Sequence, residues 1–151
     1  MEGYQPYKAC ACLANAGAPQ EKKVVFEKLA QFLVSRGFTV RTAGGKDGED
    51  AFEKGAGEKL EVHIPWKNFD GRQSSFCKTS DEAKNVVRQF SPSFESLSKG
   101  VQTIIASKAH VVLGKELNTP ILFLVVWSLD GAETKKECTA KTGFVSTPIK
   151  I

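Results

Sequence analysis

Nine consecutive residues, Thr42-Ala43-Gly44-Gly45-Lys46-Asp47-Gly48-Glu49-Asp50, lie between a short apolar strand and the start of a helical run. Glycines at such a junction permit a tight turn and let a ligand approach the backbone. The following helix N-terminus offers free N–H groups and the positive end of a dipole. On that chemistry Thr42, Gly44, Gly45 and Gly48 could cradle a phosphate, Lys46 could add a cation, and Asp50 could hold a ribose hydroxyl. The plain alternative is a strand-to-helix turn in which Asp47, Glu49 and Asp50 only complement the helix dipole. Those acids would also repel phosphate. Neither G-x4-G-K-[ST] nor G-x-G-x-x-G is present.

Three further segments could share the site. Ile64-Pro65-Trp66-Lys67-Asn68-Phe69-Asp70-Gly71-Arg72 sets aromatics beside two cations. Trp66 could stack on a base there, or the aromatics could pack under a loop or at a subunit contact. Trp127-Ser128-Leu129-Asp130-Gly131 ends an apolar run, where ligands of open α/β sheets bind, which makes Trp127, Asp130 and Gly131 candidate ligand residues; ordinary loop chemistry is the alternative. Lys141-Thr142-Gly143, with a hydroxyl and N–H groups before a short helix-like stretch, could bind a second phosphate or be a tail. His63 alternates with Val62 and Ile64 and reads as a partly exposed strand residue, and His110 reads as a helix C-terminal capping residue. Cys10, Cys12, Cys77 and Cys138 lack the spacing of a zinc site, so they read as buried and inert. No catalytic residue, metal ligand or cofactor is assigned.

These loops need elements to position them. Lys8 to Leu13 reads as a strand. Glu21 to Arg36 reads as a helix burying Val25, Leu29, Phe32 and Leu33, with Gly37 as its stop. Phe38 to Thr42 is the next strand, Glu49 to Ala56 a helix, and Leu60 to Ile64 a strand, followed by a long loop to Thr79. Ser80 to Phe90 opens with a capping signal and reads as a helix, as does Phe94 to Leu113. Ile121 to Trp127 is wholly apolar, which suits a central strand buried on both faces. Ser128 to Lys141 is polar and aperiodic, and Thr142 to Ile151 could form a short final helix. Strands alternating with helices predict an α/β fold with a mainly parallel sheet of four to five strands and helices on both faces. In such a sheet ligands bind outside the carboxyl ends of the strands, where residues 42 to 48, 65 to 71 and 127 to 131 would gather.

Composition narrows the classes. The 151 residues predict one domain, 1–151, with a real hydrophobic core. A formal net charge of +4 is too weak to imply nucleic acid. No apolar run is long enough for a membrane span, and Met1 to Lys8 has no apolar segment of the signal-peptide kind. A cytoplasmic protein with reduced cysteines is expected.

The run from Phe38 to Ala56 resembles the signature of SLOG-type Rossmann-like nucleotide-binding proteins, relatives of DNA-processing protein A and LONELY GUY proteins: a strand, Gly-Gly-Ala-x-Gly-Ala-Asp, and a helix ending in Gly-Ala. A stand-alone subgroup frequent in bacteriophages continues with a Pro-Trp-Lys loop, here Ile64 to Gly71, then a Ser-Pro-x-Phe stretch, here Ser91 to Phe94, a Val-Leu-Gly helix end, here Val112 to Gly114, and Trp-x-x-Asp-Gly, here Trp127 to Gly131. The likeness spans nearly the whole chain in one order. The chain departs from the pattern at Leu13 to Gly17, where relatives carry Gly-Ser-Arg. It departs again at Lys46 and Glu49, which replace alanines, and at Ala140 to Gly143, which replace Gly-Gly-Thr. It stops at Ile151 where relatives continue through a helix and a last strand, which would leave a sheet edge exposed or covered by a partner. The Pro-Gly-Gly-x-Gly-Thr-x-x-Glu segment of LONELY GUY enzymes is missing, and Glu133 and Glu137 are not in its context.

The resemblance implies a Rossmann-like three-layer sandwich that recognises a nucleotide or nucleotide-derived signal, in a phage setting by sequestering it against host defence in the host cytoplasm. Two other functions compete. One is a scaffold that has lost its ligand and binds and inhibits a host protein. The other is a nucleoside or nucleotide N-glycosidase using Asp50 or Asp130. DNA binding is disfavoured, and a homodimer is open.

Overall fold

The computed structural model describes residues 6–131. Four strands form one parallel sheet: β1 (Ala9–Ala14), β2 (Thr39–Thr42), β3 (Leu60–Val62) and β4 (Leu124–Trp127), in the order β3-β2-β1-β4. Helices α1 (Gln20–Ser35) and α2 (Glu49–Ala56) follow the first two strands. Helices α3 (Asp81–Arg88) and α4 (Lys99–Leu113) lie between β3 and β4. The fold is the expected α/β sandwich. No helix among the described residues is long and apolar enough to cross a membrane.

The period-two alternation of β1 builds the two core layers. Cys10, Cys12 and Ala14 face Phe26, Ala30, Phe52 and Ala56 of α1 and α2. Ala11 and Leu13 face Val111 and Val112 of α4. A strand pressed between helices on both sides suits small residues, and β1 is buried along its whole length.

That arrangement corrects the expectation for Ile121 to Trp127. Among the described residues the strand in this apolar run, β4, lies at the edge of the sheet and not at its centre. Val125 and Trp127 pack on the α1 side, while Leu124 and Val126 remain 39% and 40% exposed on the other. The small-residue strand took the centre, because side-chain size limits how near two helical layers can come to a sheet.

The buried stripe of α1 is also rotated from the predicted one. Phe26, Ala30 and Leu33 are buried, while Val25 and Phe32 are exposed. The cause is the close crossing of α1 and α2. A Cβ on Gly55 would lie 2.1 Å from the carbonyl oxygen of Glu27 and 2.9 Å from Cβ of Ala30. The smallest residues set the contact, and the larger ones turned outward. Gly55→Ala is therefore expected to cost about 1–3 kcal/mol by overpacking. Gly100→Ala, which meets nothing within 4 Å, should be neutral or slightly stabilising. Urea denaturation midpoints of the two variants check this.

The second half deviates in its boundaries. Ser80 is the N-cap of α3, its hydroxyl accepting from Ala83 N–H at 3.1 Å. The predicted helix from Phe94 begins instead at Lys99, because Ser98 caps it by accepting from Val101 N–H and Phe94–Ser96 is a separate 3-10 turn. β3 stops at Val62, two residues earlier than expected. The stretch from Thr142 to Ile151 lies outside the described residues.

Candidate functional site

Because all four strands are parallel, their carboxyl ends share one rim. The loops after Ala14, Thr42, Val62 and Trp127 meet there. Side chains stitch them together. Leu129 N–H donates to Asn15 Oδ1 at 3.0 Å, and Gly17 N–H donates to Asp47 Oδ2 at 3.0 Å. Arg72 binds Glu53 through two nitrogens, at 2.6 and 3.0 Å, and its Nη2 reaches Gly45 O at 3.3 Å. The three loops singled out in the sequence do converge.

The centre of the rim is a residue the sequence reading treated as a dipole complement. Glu49, 5% exposed, turns its carboxylate back under the glycine loop. Its Oε1 accepts from Ala43 N–H at 2.8 Å, and the N–H groups of Gly45 and Ala14 also bond to it. A Cβ at position 45 would lie 2.5 Å from Oε2, so glycine there makes room for the carboxylate. Burial pushes the Glu49 carboxyl above its ordinary range, against the pull of these N–H groups and of the Lys108 charge on α4. The N–H groups that could have cradled a phosphate thus hold an anion that belongs to the chain itself.

The cations around this loop are likewise engaged. Lys23 pairs with Asp47, Lys46 lies 4.0 Å from Asp70, and Arg72 is held by Glu53. Thr42 donates to Glu53 Oε1 at 2.9 Å. Asp50 accepts from Gly48 N–H at 3.0 Å. Gly44 is buried against Ile64. Trp66 is 42% exposed and stands edge-on to Phe69, with ring centroids 5.0 Å apart. Trp127 packs instead on Phe26, at 6.1 Å between centroids, as part of the core. Asp130 and Gly131 are exposed at the rim. Lys141 and Thr142 lie outside the described residues.

Sequence reasoning missed Glu49 as an acceptor, together with Asn15 and Glu53. The signal available was an acid placed directly after the glycine loop, next to Gly48, where backbone N–H groups need an acceptor. One of the two histidines differs from expectation. His63 is buried, not partly exposed, because the loop carrying Phe76 covers it. His110 does lie in the last turn of α4 and reaches its C-cap: Nδ1–H donates to Gly114 O at 3.1 Å, and Nε2 accepts from Ser80 N–H at 3.2 Å. Among known proteins no family model, no curated protein and no solved structure matches this chain.

Proposed function

We propose that this chain binds a nucleotide-derived small molecule at the carboxyl rim through its nucleoside part, with no ligand phosphate in the glycine loop. The carrying observation is the Glu49 carboxylate on the N–H groups of Ala43, Gly45 and Ala14. A ligand phosphate would have to displace a carboxylate from its hydrogen bonds and would meet Glu53, Asp47 and Asp50 around it. Sugar hydroxyls, which donate to carboxylates, suit the same rim. The exposed ring of Trp66 is available for base stacking. The ligand is returned unchanged, because the most buried carboxylate of the rim is committed to backbone N–H groups and not poised over a sugar. Sequestration of a nucleotide-derived signal, in a phage anti-defence setting, is the role this reading fits.

The test is thermal unfolding against matched nucleosides and their mono-, di- and cyclic phosphates, with the ligand recovered and weighed by mass spectrometry. A nucleoside at about 100 times its dissociation constant should add about 2.7 kcal/mol, with its phosphates no tighter and the mass unchanged. A phosphate form binding tenfold tighter than its nucleoside to the wild type would overturn the reading.

One observation favours a second reading, a scaffold for a protein partner. Leu122 and Leu129 are 66% and 64% exposed, and they flank the half-open edge strand β4. Strand addition to that edge would cover them. Absence of any nucleoside or nucleotide shift, together with a complex insensitive to nucleotides, would select it.

A further inference from the structure

A second polar constellation lies on the α4 side of β3 and takes no part in the rim. Its foundation is Arg41, 1% exposed, which donates to Thr119 O at 2.7 Å, Thr119 Oγ1 at 3.0 Å, Tyr7 Oη at 2.9 Å and Glu61 Oε1 at 3.3 Å. Glu61 also accepts from Tyr7 Oη–H and lies 3.2 Å from His63 Nε2. Burial works against ionisation of Glu61, but the bonds from His63 and Tyr7 and the charge of Arg41 outweigh it, so its carboxyl sits below its ordinary range. An ionised carboxylate only accepts, so the proton of His63 resides on Nε2. Burial, with Arg41 and His110 adding to it and Glu61 opposing, keeps the imidazole neutral.

That leaves Nδ1 of His63 as a lone-pair acceptor. It makes no hydrogen bond among the described residues, although His63 is only 3% exposed. No closed-off side-chain nitrogen or oxygen among the described residues lacks a partner, so this atom opens onto space. The space is a cavity of about 150 Å³ that His63 lines together with Ser75, Cys77, Lys78, His110 and Lys115. Ligand pockets for drug-sized molecules run to about 300–1,000 Å³, so this one has room for a small ion and not for a nucleotide. Lys78 and Lys115 are exposed and make no ion pair among the described residues. His110 brings no free nitrogen, since both of its ring positions are bonded.

We infer that this cavity binds a small oxyanion that still carries a proton, of the hydrogenphosphate type. His63 Nδ1 accepts the anion's hydroxyl, and Lys78 and Lys115 face its charge. The two demands together define the class. Two lysines alone would take any anion, whereas an acceptor at the back wall rejects one that cannot donate, because the buried lone pair would then face oxygen. The ion that meets both demands at neutral pH is free hydrogenphosphate, since a monoester, with its second pKa at about 6, has mostly lost its last proton there.

Calorimetric titration of the full chain at neutral pH, with phosphate, sulfate and methyl phosphate at matched ionic strength, tests this. Sulfate has the size of phosphate and no proton at that pH. Phosphate is expected to bind at least tenfold more tightly than sulfate, and to slow alkylation of Cys77, mapped by peptide mass. Methyl phosphate, which has mostly lost its second proton at neutral pH, is expected to bind weakly, as sulfate does, and methyl phosphate equal to phosphate would overturn the need for a donor. His63→Phe should abolish the preference for phosphate over sulfate. Because that substitution also removes a partner of Glu61, Lys78→Ala/Lys115→Ala provides the second variant: both positions are exposed, the fold is kept, and affinity for both anions should fall at least tenfold. Equal binding of sulfate and phosphate by the wild type, or no heat and no protection of Cys77 at millimolar phosphate, would overturn the inference.

Discussion

Arg41→Met is expected to remove about 3–5 kcal/mol of folding stability, the range for breaking a buried ion pair by deleting one partner. The guanidinium is 1% exposed, on a strand between β1 and β3. Methionine fills much of the volume but bonds to nothing. Glu61 would keep Tyr7 and His63 and lose its cation, and the carbonyl oxygen of Thr119 would lose a donor at 2.7 Å. The loss should appear as a lower urea midpoint with an unchanged slope. Glu61→Gln in the same background should recover part of it, because the stranded charge is then gone. A loss under about 1 kcal/mol would show that the network is dispensable. The same network sets the acid side of the stability profile. His63 takes up its proton less readily in the folded state than in the unfolded chain, so stability falls as pH drops below the ordinary histidine value of 6.5. Glu61, with its folded pKa depressed, contributes stability present above its ordinary value of 4.5 and lost as pH falls through the folded value.

Glu49→Ala carries the second large effect, and it has two parts. Three N–H groups lose their acceptor, which should cost about 1–3 kcal/mol without added anion. The vacated cradle then binds what the wild type rejects. In a Lys78→Ala/Lys115→Ala background, where anion binding at the His63 cavity is weakened, inorganic phosphate should restore the stability lost with Glu49→Ala, by about 2.7 kcal/mol at 100 times the dissociation constant, and should move the same background with Glu49 intact far less. The pH dependence runs opposite to that of His63 and Glu61. A carboxyl whose folded pKa is raised contributes stability that is fully present below its unfolded value and lost as pH rises through the folded one. The cost of the alanine should therefore be largest near the ordinary value of 4.5 and shrink toward neutrality. Denaturation at several pH values, with and without phosphate, checks both parts. Equal phosphate stabilisation with and without Glu49 in the Lys78→Ala/Lys115→Ala background would show that Glu49 does not guard the loop.

Much of this protein is legible in one dimension. The change from period two to period 3.6, the glycine stops and the serine caps are local signals, and they placed the helices and strands to within a few residues. The direction of the strands followed from their alternation with helices, so the gathering of residues 42–48, 65–71 and 127–131 on one rim was derivable. Chain chemistry alone could not rank the strands. Hydrophobicity pointed to Ile121–Trp127 as the centre, whereas steric fit between two helical layers chose the small residues of Ala9–Ala14. Nor could it say where a polar side chain turns. Glu49 beside a helix start reads as a surface acid until the loop folds over it. His63 and His110 are remote in sequence, and only the crossing of α4 over the sheet stacks their rings 6.4 Å apart. Periodicity reports which residues want burial. The partner each buried group finds depends on contacts between segments far apart in the chain, and only tertiary packing decides those.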